Sequence, residues 1–431
     1  ISITLLDQKP AEKLGAIYTE LQQAGVQFEL GPTYLDHLER YDVVFRAPGM
    51  YYNHPKLQEA RQNGVVITTE MEVFFKFCPS KIIAVTGSNG KTTTTTLISK
   101  FLEKQGRKVY LGGNIGKALM PELETITEND IAVVELSSFQ LLTMGNMKNT
   151  PDVAVVTNIE CTHQDHHVNL DEYVDAKRNI LIYQNENCKT VLNADCDYSI
   201  GNRVYHDMRF DVRGKLAQFS IKHKVDNGCY MNDKGEIVYN DNGNETFVMN
   251  SSDIVIPGTH NIENYCTAIC ATWGLVDVSV YKDIANTFGG VEHRIEFVRE
   301  FDGVKYYNDS KGTNPDAAIK AVEAMVRPTV VIGGGYDKDS SYDEWIASFG
   351  DKVKALVLLG QTRDKIAAAA KKAGFENVIM TDSLEEAVKV SSKQAVSGDA
   401  VLLSPACASW GMFKNFEERG KLFKEYVNSL E

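Results

Sequence analysis

A glycine-rich segment followed by lysine and threonine is the part of this chain best suited to bind phosphate. Residues 86–92 read TGSNGKT, between an apolar run over residues 81–86 and a helix-like stretch. Backbone N–H groups and the helix dipole attract anions at such a turn, Lys91 can reach terminal phosphates, and Thr92 can hold Mg²⁺. The general P-loop has glycine six positions before its lysine, where this chain has Val85. The segment predicts ATP-dependent chemistry, with a plain strand-to-helix turn as the alternative.

Acidic and imidazole side chains follow two later apolar runs. Glu135 closes the run over residues 131–135, and residues 157–167, which read TNIECTHQDHH, follow another. In a parallel sheet, such strand ends carry metal or ligand groups. The His-rich loop indicates either zinc or one imidazole that joins carboxylates around a catalytic divalent ion. A solvated acid and a loop without function are the simpler alternatives.

Three polar loops follow strands in the last third of the chain, over residues 308–314, 333–338 and 403–413. Asp309 could hold a ribose hydroxyl or a metal-bound water, and Lys311 could reach a phosphate. The three glycines before Lys338 let the backbone approach a ligand closely, with the lysine as a cation for a carboxylate. Residues of these types also serve as plain turn and N-cap residues.

Four further polar residues lie on predicted helices or at a domain boundary. Asn261 and Asn264 are one helical turn apart, so they could hydrogen-bond a base edge or phosphate, or form a cap and a polar face. Arg294 lies at the second domain boundary, where it could reach a phosphate on domain closure or form an ordinary ion pair. Lys177 is a solvated cation by default.

The elements that position these residues predict an α/β protein of three domains. Residues 1–79 form a small Rossmann-like unit with parallel strands and a helix over residues 10–24. Residues 80–290 form a P-loop ATPase-type parallel sheet, with an antiparallel insertion over residues 203–256. Residues 291–431 repeat strand–helix units, which is typical of a second doubly wound domain.

Composition limits the class of protein. The chain has 431 residues, 43% hydrophobic and 24% charged, and a net charge of −13, which argues against a nucleic-acid or anionic-membrane surface. No apolar run approaches the ~20 residues that span a bilayer. The eight cysteines lack a CxxC pair, which favours reduced thiols in a cytoplasmic protein. Because the chain begins at Ile1 inside a strand, we expect a preceding segment to be missing.

Together these segments resemble the ATP-dependent Mur ligases of bacterial peptidoglycan synthesis. TGSNGKT, residues 260–264 (HNIEN) and residues 308–314 (NDSKGTN) are similar to motifs of the superfamily. Residues 135–140 (ELSSFQ) and 404–420 (SPACASWGMFKNFEERG) resemble the branch that adds D-glutamate to UDP-N-acetylmuramoyl-L-alanine. The resemblance covers essentially the whole chain. It implies an acid–amino-acid ligase that works as a cytoplasmic monomer without nucleic-acid or membrane partners.

The resemblance also implies roles for individual residues. The catalytic set is Lys91, Lys177, His163 and Arg294. The nucleotide set is Gly87, Ser88, Asn89, Gly90, Lys91, Thr92, Thr93, Asn261, Asn264, Arg294, Asp309 and Lys311. Two Mg²⁺ ions are implied at Thr92, Glu135, His163 and Lys177, the last as a carbamate formed from CO₂. The nucleotide-sugar substrate is implied at Asp7, Pro48, Gly49, Asn114, Ser137 and Gln140, and D-glutamate at Thr313, Lys338, Ser409 and Phe416.

One departure from the family pattern keeps alternatives open. The family's first strand, Gly-rich turn and helix, which help to hold the UDP group, are missing. Another amide ligase of the superfamily, such as folylpolyglutamate synthase, is the nearest alternative, although residues 404–420 argue against it. A nucleotide-binding regulator without catalysis is a more distant one. A dehydrogenase is excluded because the Gly-rich loop carries Lys-Thr instead of a dinucleotide fingerprint.

Overall fold

The computed structural model describes residues 1–47, 50–144, 150–159, 170–196 and 212–431, and shows an α/β protein. Within these residues, three regions pack helices against mainly parallel strands. No helix in the described part of the chain has the length and apolar character that crossing a bilayer requires.

The first region contains two small parallel sheets. Its elements are β1 (Thr4–Asp7), α1 (Ala11–Leu14), α2 (Ala16–Gln23), β2 (Gln27–Leu30), β3 (Val43–Phe45), α3 (Pro55–Gln62), β4 (Val66–Thr68) and α4 (Glu70–Phe77). β1 pairs with β2 and β3 with β4, both in parallel as predicted, but the two pairs form separate sheets. The helix predicted over residues 10–24 is broken at Gly15, whose φ of 59° and ψ of −136° suit glycine alone.

Helix α4 was not anticipated, although its start is readable in the sequence. The Thr69 side chain accepts a hydrogen bond from Glu72 N at 3.3 Å, in a Thr-x-x-Glu start. Phe74 and Phe75 of α4 pack in the same core as the first strand of the next region. The helix therefore fixes the end of the first region against the central sheet.

The central region is built on a nine-stranded sheet. Its strands are β5 (Lys81–Thr86), β6 (Val109–Gly113), β7 (Ile131–Glu135), β8 (Val153–Val156), β9 (Lys189–Asn193), β10 (Lys215–Ser220), β11 (Asn227–Met231), β12 (Glu236–Asp241) and β13 (Asn244–Asn250). Its helices are α5 (Lys91–Lys104), α6 (Ser138–Met144), α7 (Leu170–Arg178), α8 (Thr259–Thr272) and α9 (Val278–Thr287). The strand order is β13-β12-β11-β10-β9-β8-β5-β7-β6.

Strand β5 shows how this sheet is buried on both faces. Ile83 and Val85 face the core shared with α5, α8 and α9, whereas Ile82 and Ala84 face the core shared with α6 and α7. β5 lies between β7 and β8, parallel to both. The carboxyl ends of these three strands therefore meet at one edge, which brings the phosphate loop beside Glu135.

The predicted antiparallel insertion is only partly correct. β11, β12 and β13 are antiparallel neighbours, but β10 runs parallel to both β9 and β11. All four strands extend the central sheet instead of forming a separate one. Asn, Asp and Gly punctuate the sequence here, but this punctuation does not reveal the direction of strand pairing.

The last region is a six-stranded sheet with helices. Its elements are β14 (Glu296–Phe301), β15 (Val304–Asn308), α10 (Pro315–Ala324), β16 (Thr329–Gly333), α11 (Asp343–Ala347), β17 (Val353–Leu358), α12 (Arg363–Lys372), β18 (Val378–Met380), α13 (Leu384–Gln394), β19 (Ala400–Leu403) and α14 (Phe416–Asn428). The order is β14-β15-β19-β16-β17-β18, parallel except for the unpredicted edge strand β14. Because β15, β19 and β16 are neighbours, the three polar loops lie at one edge.

Candidate active site

The phosphate loop between β5 and α5 requires glycine at two positions. An added Cβ at Gly87, where φ is 148°, would collide with Thr157 Oγ1. At Gly90, where φ is 77°, a Cβ would collide with Asn264 Oδ1. The glycines therefore allow two polar side chains of the central region to lie directly against the loop.

Hydrogen bonds from neighbouring elements hold this loop in place. Ser88 N donates to Asn158 O at 2.9 Å, and Asn89 N donates to Asn158 Oδ1 at 2.8 Å. The Ser88 and Tyr173 hydroxyl groups are 2.8 Å apart. These contacts fix the conformation of the loop, which suits a preorganised anion site.

Two lysines converge on the loop from different helices. Lys91 Nζ, at the start of α5, donates to Gly87 O at 3.0 Å and Ser88 O at 2.8 Å. Lys177 Nζ, on α7, donates to the same Gly87 O at 2.8 Å and lies 4.5 Å from the centre of the Tyr173 ring. The Lys177 side chain is only 1% exposed, so the expectation of a solvated cation is wrong.

Burial lowers the pKa of both lysines, and for Lys177 the charge of Lys91 adds to this effect. Burial, and then repulsion from Lys91, lowers the pKa of Lys177 to about 7, although Glu135 opposes the shift. Burial also lowers the pKa of Lys91, opposed by Glu135 and reinforced by Arg294. A substantial fraction of Lys177 is therefore a neutral amine near pH 7.

Glu135 has the features of a metal ligand. The side chain is 2% exposed, and its Oε1 accepts a hydrogen bond from Asn114 Nδ2 at 3.0 Å. Its Oε2 is buried with no hydrogen-bond partner among the described residues. An unpartnered buried carboxylate oxygen is costly unless a cation satisfies it. This oxygen is a donor of the kind that Mg²⁺ prefers, and the hydroxyl group of Thr92 in α5 is another.

A cavity of about 480 Å³ extends from the loop toward the first region. It is lined by Arg46, Thr69, Glu70, Met71, Gly87, Lys91, Gly113, Asn114, Ser137, Ser138, Phe139, Gln140, Tyr173 and Lys177. The predicted substrate residues Asn114, Ser137 and Gln140 thus lie in the same cavity as the two lysines. Gln140 Oε1 accepts from both Ser137 N, at 2.9 Å, and Ser137 Oγ, at 3.0 Å.

The loop over residues 308–314 places charged groups of the last region near the central sheet. Asp309 Oδ2 accepts from Ser404 Oγ at 2.8 Å, and its Oδ1 accepts from Ile295 N at 3.3 Å. Burial raises the pKa of Asp309 to about 7, against the effects of these bonds and of Arg294. Burial and then Arg294 lower the pKa of Lys311, which attraction to Glu135 opposes. Charges from the central and last regions therefore act on one another.

The residues predicted to bind D-glutamate lie on three loops and at the start of α14, and hydrogen bonds join some of these segments. Tyr336 N donates to Ala408 O at 2.9 Å, which ties the loop of Lys338 to that of Ser409. Lys338 Nζ lies 5.0 Å from the centre of the Trp410 ring. Phe416 O accepts from Ser310 Oγ at 2.8 Å, and Thr313 N donates to Lys311 O at 2.8 Å.

Comparison with known proteins shows the family to which this chain belongs. The Mur ligase middle domain matches residues 85–272, and the Mur ligase glutamate ligase domain matches residues 293–407. The chain is 45% identical over 436 residues to a UDP-N-acetylmuramoylalanine–D-glutamate ligase of Acetivibrio thermocellus, covering 100% of this chain and 91% of that protein. The chain belongs to the Mur ligase family. It is an ATP-dependent ligase of peptidoglycan precursor synthesis.

Other relatives agree with this family. A Clostridium kluyveri protein of the same name is 43% identical over 438 residues, covering 99% of this chain and 92% of that protein. A solved UDP-N-acetylmuramoyl-L-alanyl-D-glutamate–2,6-diaminopimelate ligase is 18% identical with a TM-score of 0.60, covering 90% of this chain and 94% of that one. MurF from Acinetobacter baumannii is 16% identical with a TM-score of 0.60, covering 90% and 92%. These two structures show that the Mur ligase fold is shared.

Arg419 organises the last region of this Mur ligase, and sequence reasoning gave it no role. The side chain is buried on α14, where its Nε donates to Ser310 Oγ at 3.0 Å and its Nη2 to Ser310 O at 2.8 Å. Its Nη1 donates to Cys407 O at 3.2 Å. Arg419 therefore fixes the loop of Asp309 to the loop of Cys407. The only sequence signal was its place inside the motif over residues 404–420.

The remaining predicted residues contact other protein groups or lie outside the described residues. Asn264 Oδ1 accepts from Thr94 Oγ1 at 3.3 Å, and its Nδ2 donates to Asn261 Oδ1 at 3.1 Å. The Asn264 amide therefore links α8 to α5, and Asn261 holds that amide in place. Asp7 Oδ1 accepts from Lys9 N at 2.7 Å, and Asp7 is not among the described residues that line the cavity. Three predicted residues lie outside the described residues, namely Pro48, Gly49 and His163.

Replacing Glu135 by glutamine should weaken Mg²⁺ binding at this Mur ligase site. The substitution keeps the oxygen that accepts from Asn114 but removes the charge, so we expect the Mg²⁺ concentration for half-maximal activity to rise at least about tenfold. A Mg²⁺ titration of activity measures this. Glu103→Gln on the exposed face of α5 is the matched control. Equal half-saturating Mg²⁺ concentrations in Glu135→Gln and wild type would remove Glu135 from the metal site.

Asp309 should make stability depend on pH. The native protein keeps this carboxyl protonated up to about pH 7, whereas an unfolded aspartate ionises near 4. Because the native state binds more protons between these values, the group lowers the free energy of unfolding as pH rises from about 4 to 7. Asp309→Asn lacks this titration. Relative to wild type, its free energy of unfolding is therefore expected to rise by up to a few kcal/mol between pH 5 and pH 7.5.

Denaturant unfolding at both pH values measures this difference. Asp364→Asn, at an exposed acid on α12, is the control and should unfold in parallel with wild type at both pH values. If the free energies of unfolding of Asp309→Asn and wild type differ by the same amount at both pH values, Asp309 does not titrate in this range. Activity of Asp309→Asn should nevertheless fall, since the carboxyl group that is predicted to contact the nucleotide is lost.

Proposed function

We propose that this Mur ligase joins D-glutamate to the L-alanyl carboxylate of UDP-N-acetylmuramoyl-L-alanine, using ATP. The observation that carries the proposal is the single cavity in which the phosphate-loop Lys91, the buried Lys177 and the motif residues Ser137 and Gln140 meet. The names of relatives that are 43–45% identical over nearly the whole chain support the choice of substrates. We infer domains over residues 1–79, 80–290 and 291–431, acting as a monomer in the cytoplasm.

The chemistry follows from the poor reactivity of a carboxylate toward an amine. Attack of a carboxylate oxygen on the γ-phosphorus of ATP forms an acyl phosphate and releases ADP. The D-glutamate amine then adds to the acyl carbon, and the tetrahedral intermediate expels inorganic phosphate as the amide forms and the amine loses a proton. Lys91 from the loop and Arg294 from the last domain neutralise charge on the transferring phosphoryl group.

The described residues fit a divalent cation, as the partnerless Oε2 of Glu135 indicates. Thr92, Glu135 and a carbamate on Lys177 would hold two Mg²⁺ ions, together with His163. When bound, these ions supply positive charge to the phosphoryl oxygens. Asn114 keeps the Glu135 carboxylate oriented toward that position through its bond to Oε1.

The environment of Lys177 supports a carbamate at this position. Its neutral amine, populated because the pKa is about 7, attacks the carbon of CO₂, forms an N–C bond and releases one proton. The product is an anion beside Lys91 instead of a second cation. Carbamate formation therefore removes the repulsion between two ammonium groups and adds oxygen ligands for a metal.

D-Glutamate would bind at the edge of the last sheet. Lys338 provides a cation for one carboxylate, and the loop of Ser409 and the ring of Phe416 bound the pocket, with Thr313 at the entrance to α10. Closure of this domain over the central sheet would exclude water, which otherwise hydrolyses the acyl phosphate. The attraction of Glu135 for Lys311, which opposes the lowering of the pKa of Lys311, supports an approach of these two domains.

Phosphate release with ATP, Mg²⁺ and UDP-N-acetylmuramoyl-L-alanine tests the proposal, with D-glutamate and L-glutamate in parallel. We expect release with D-glutamate and at most a trace with L-glutamate. Release with L-glutamate alone, or with neither isomer from the folded protein, would contradict the proposed acceptor. A pteroyl substrate with L-glutamate would then test the folate-type ligase.

A further inference from the structure

Arg46, at the end of β3, is a buried cation that the mechanism above does not use. Its side chain is 6% exposed and lines the cavity at the end formed by the first domain. Its Nη1 donates to Met50 O. Its Nε is buried without a hydrogen-bond partner among the described residues. A buried guanidinium group with an unused donor is a costly arrangement for a purely structural residue.

The surroundings of Arg46 do not supply a direct counter-ion. Glu72 attracts it at longer range, but Glu72 Oε2 accepts from Thr68 Oγ1 at 3.0 Å. Glu70, which also lines the cavity, accepts from Met120 N at 3.4 Å through Oε1. No ion pair joins Arg46 to a carboxylate in the described part of the chain. The site therefore offers positive charge and hydrogen-bond donors to a ligand.

The cavity is lined by cations from two regions, with Lys91 on the phosphate-loop side and Arg46 on the first domain. The reacting carboxylate must lie near Lys91, because this lysine marks the place where the ATP phosphates bind. The other anionic group of a nucleotide sugar is its diphosphate, separated from the carboxylate by the sugar and its lactyl-alanyl arm. Arg46 lies at the first-domain end, beside Thr69 and Met71 at the start of α4.

We propose that Arg46 binds the diphosphate of the nucleotide-sugar substrate and so positions its carboxylate at the phosphate loop. This inference rests on the function proposed above. A guanidinium group presents parallel N–H donors that match two phosphate oxygens, which an ammonium group cannot reproduce. Arg46 is thus a positioning residue for the nucleotide sugar, and ATP and D-glutamate bind elsewhere.

Kinetics of Arg46→Met, Arg46→Lys and the control Arg61→Met test this role. Arg61 belongs to the same domain but stacks on Tyr52, 4.4 Å from its ring centre, and does not line the described cavity. For Arg46→Met we expect the KM for UDP-N-acetylmuramoyl-L-alanine to rise about 10- to 100-fold. kcat and the KM values for ATP and D-glutamate should change less than about threefold. The KM of Arg46→Lys for this substrate should lie between those of wild type and Arg46→Met, and the KM of Arg61→Met should match wild type.

Inhibition by UDP and by uridine separates phosphate binding from a general structural effect. Arg46→Met should raise the inhibition constant of UDP as much as it raises the substrate KM, and should leave that of uridine unchanged. Equal losses for UDP and uridine, or an unchanged substrate KM, would overturn the inference. If Arg46→Met does not fold, Arg46→Lys must show the same selective loss on a smaller scale. Failure of the proposed function is distinct, because wild type itself would then not turn over this substrate.

Discussion

Replacing Lys91 by alanine is expected to lower kcat by about 10³-fold or more while the protein remains folded. Among the lysines of α5 in the described structure, only Lys91 donates hydrogen bonds to the loop carbonyls of Gly87 and Ser88. Loss of a preorganised cation from a phosphoryl-transfer site typically costs about 10²- to 10⁵-fold in rate. Because Lys177 Nζ also donates to Gly87 O, the loop keeps one of its side-chain hydrogen bonds in the variant.

Single-turnover measurement of acyl-phosphate formation reports this effect directly, since product release does not contribute. Lys100→Ala is the matched control, because Lys100 lies on the same helix but is exposed and pairs with Glu103 at 3.2 Å. The control should retain wild-type activity, and both variants should melt within a few degrees of wild type. Turnover of Lys91→Ala within about tenfold of wild type would show that the nucleotide assignment is wrong.

The parts of the site that sequence predicts well are those set by local geometry. The phosphate loop and Glu135 each follow an apolar strand, and neighbouring parallel strands bring their carboxyl ends together whatever the remainder of the chain does. The same argument predicted the loops of Asp309 and Lys338, whose strands are neighbours or next neighbours in the last sheet.

Burial and pairing across long sequence distances explain what sequence alone did not predict. Lys177 looks like a surface lysine in its helix, and only the packing of α7 against the loop makes it 1% exposed. Arg419 bonds to Ser310, more than a hundred residues away, and Arg46 enters the cavity from another domain. The resemblance to the Mur ligases supplied the role of Lys177, whereas residue spacing supplied none.

Lys177→Ala is expected to be nearly inactive and to regain part of its activity with formate or acetate. A small carboxylate can occupy the space left by the side chain and restore the anionic oxygens that a carbamate would provide. Lys189→Ala is the matched control, because burial also lowers the pKa of Lys189 but this lysine begins β9, at the amino ends of the parallel strands and away from the phosphate loop. The control should be active and indifferent to added anions. Full activity of Lys177→Ala without any anion would refute the carbamate.

Depletion of CO₂ from the wild-type protein should reproduce the loss of activity expected for Lys177→Ala, and added bicarbonate should restore activity. The direction of the pH effect follows from the lowered pKa of about 7, because only the neutral amine attacks CO₂. Reactivation at a fixed CO₂ concentration should therefore slow as pH falls below 7 and level off above about 8. Carbon NMR with labelled CO₂ should show a carbamate signal in wild type that is missing in Lys177→Ala and retained in Lys189→Ala. A simple ammonium group at this position would respond in the opposite way, since protonation at low pH would strengthen its contact with Gly87 O and leave activity independent of CO₂.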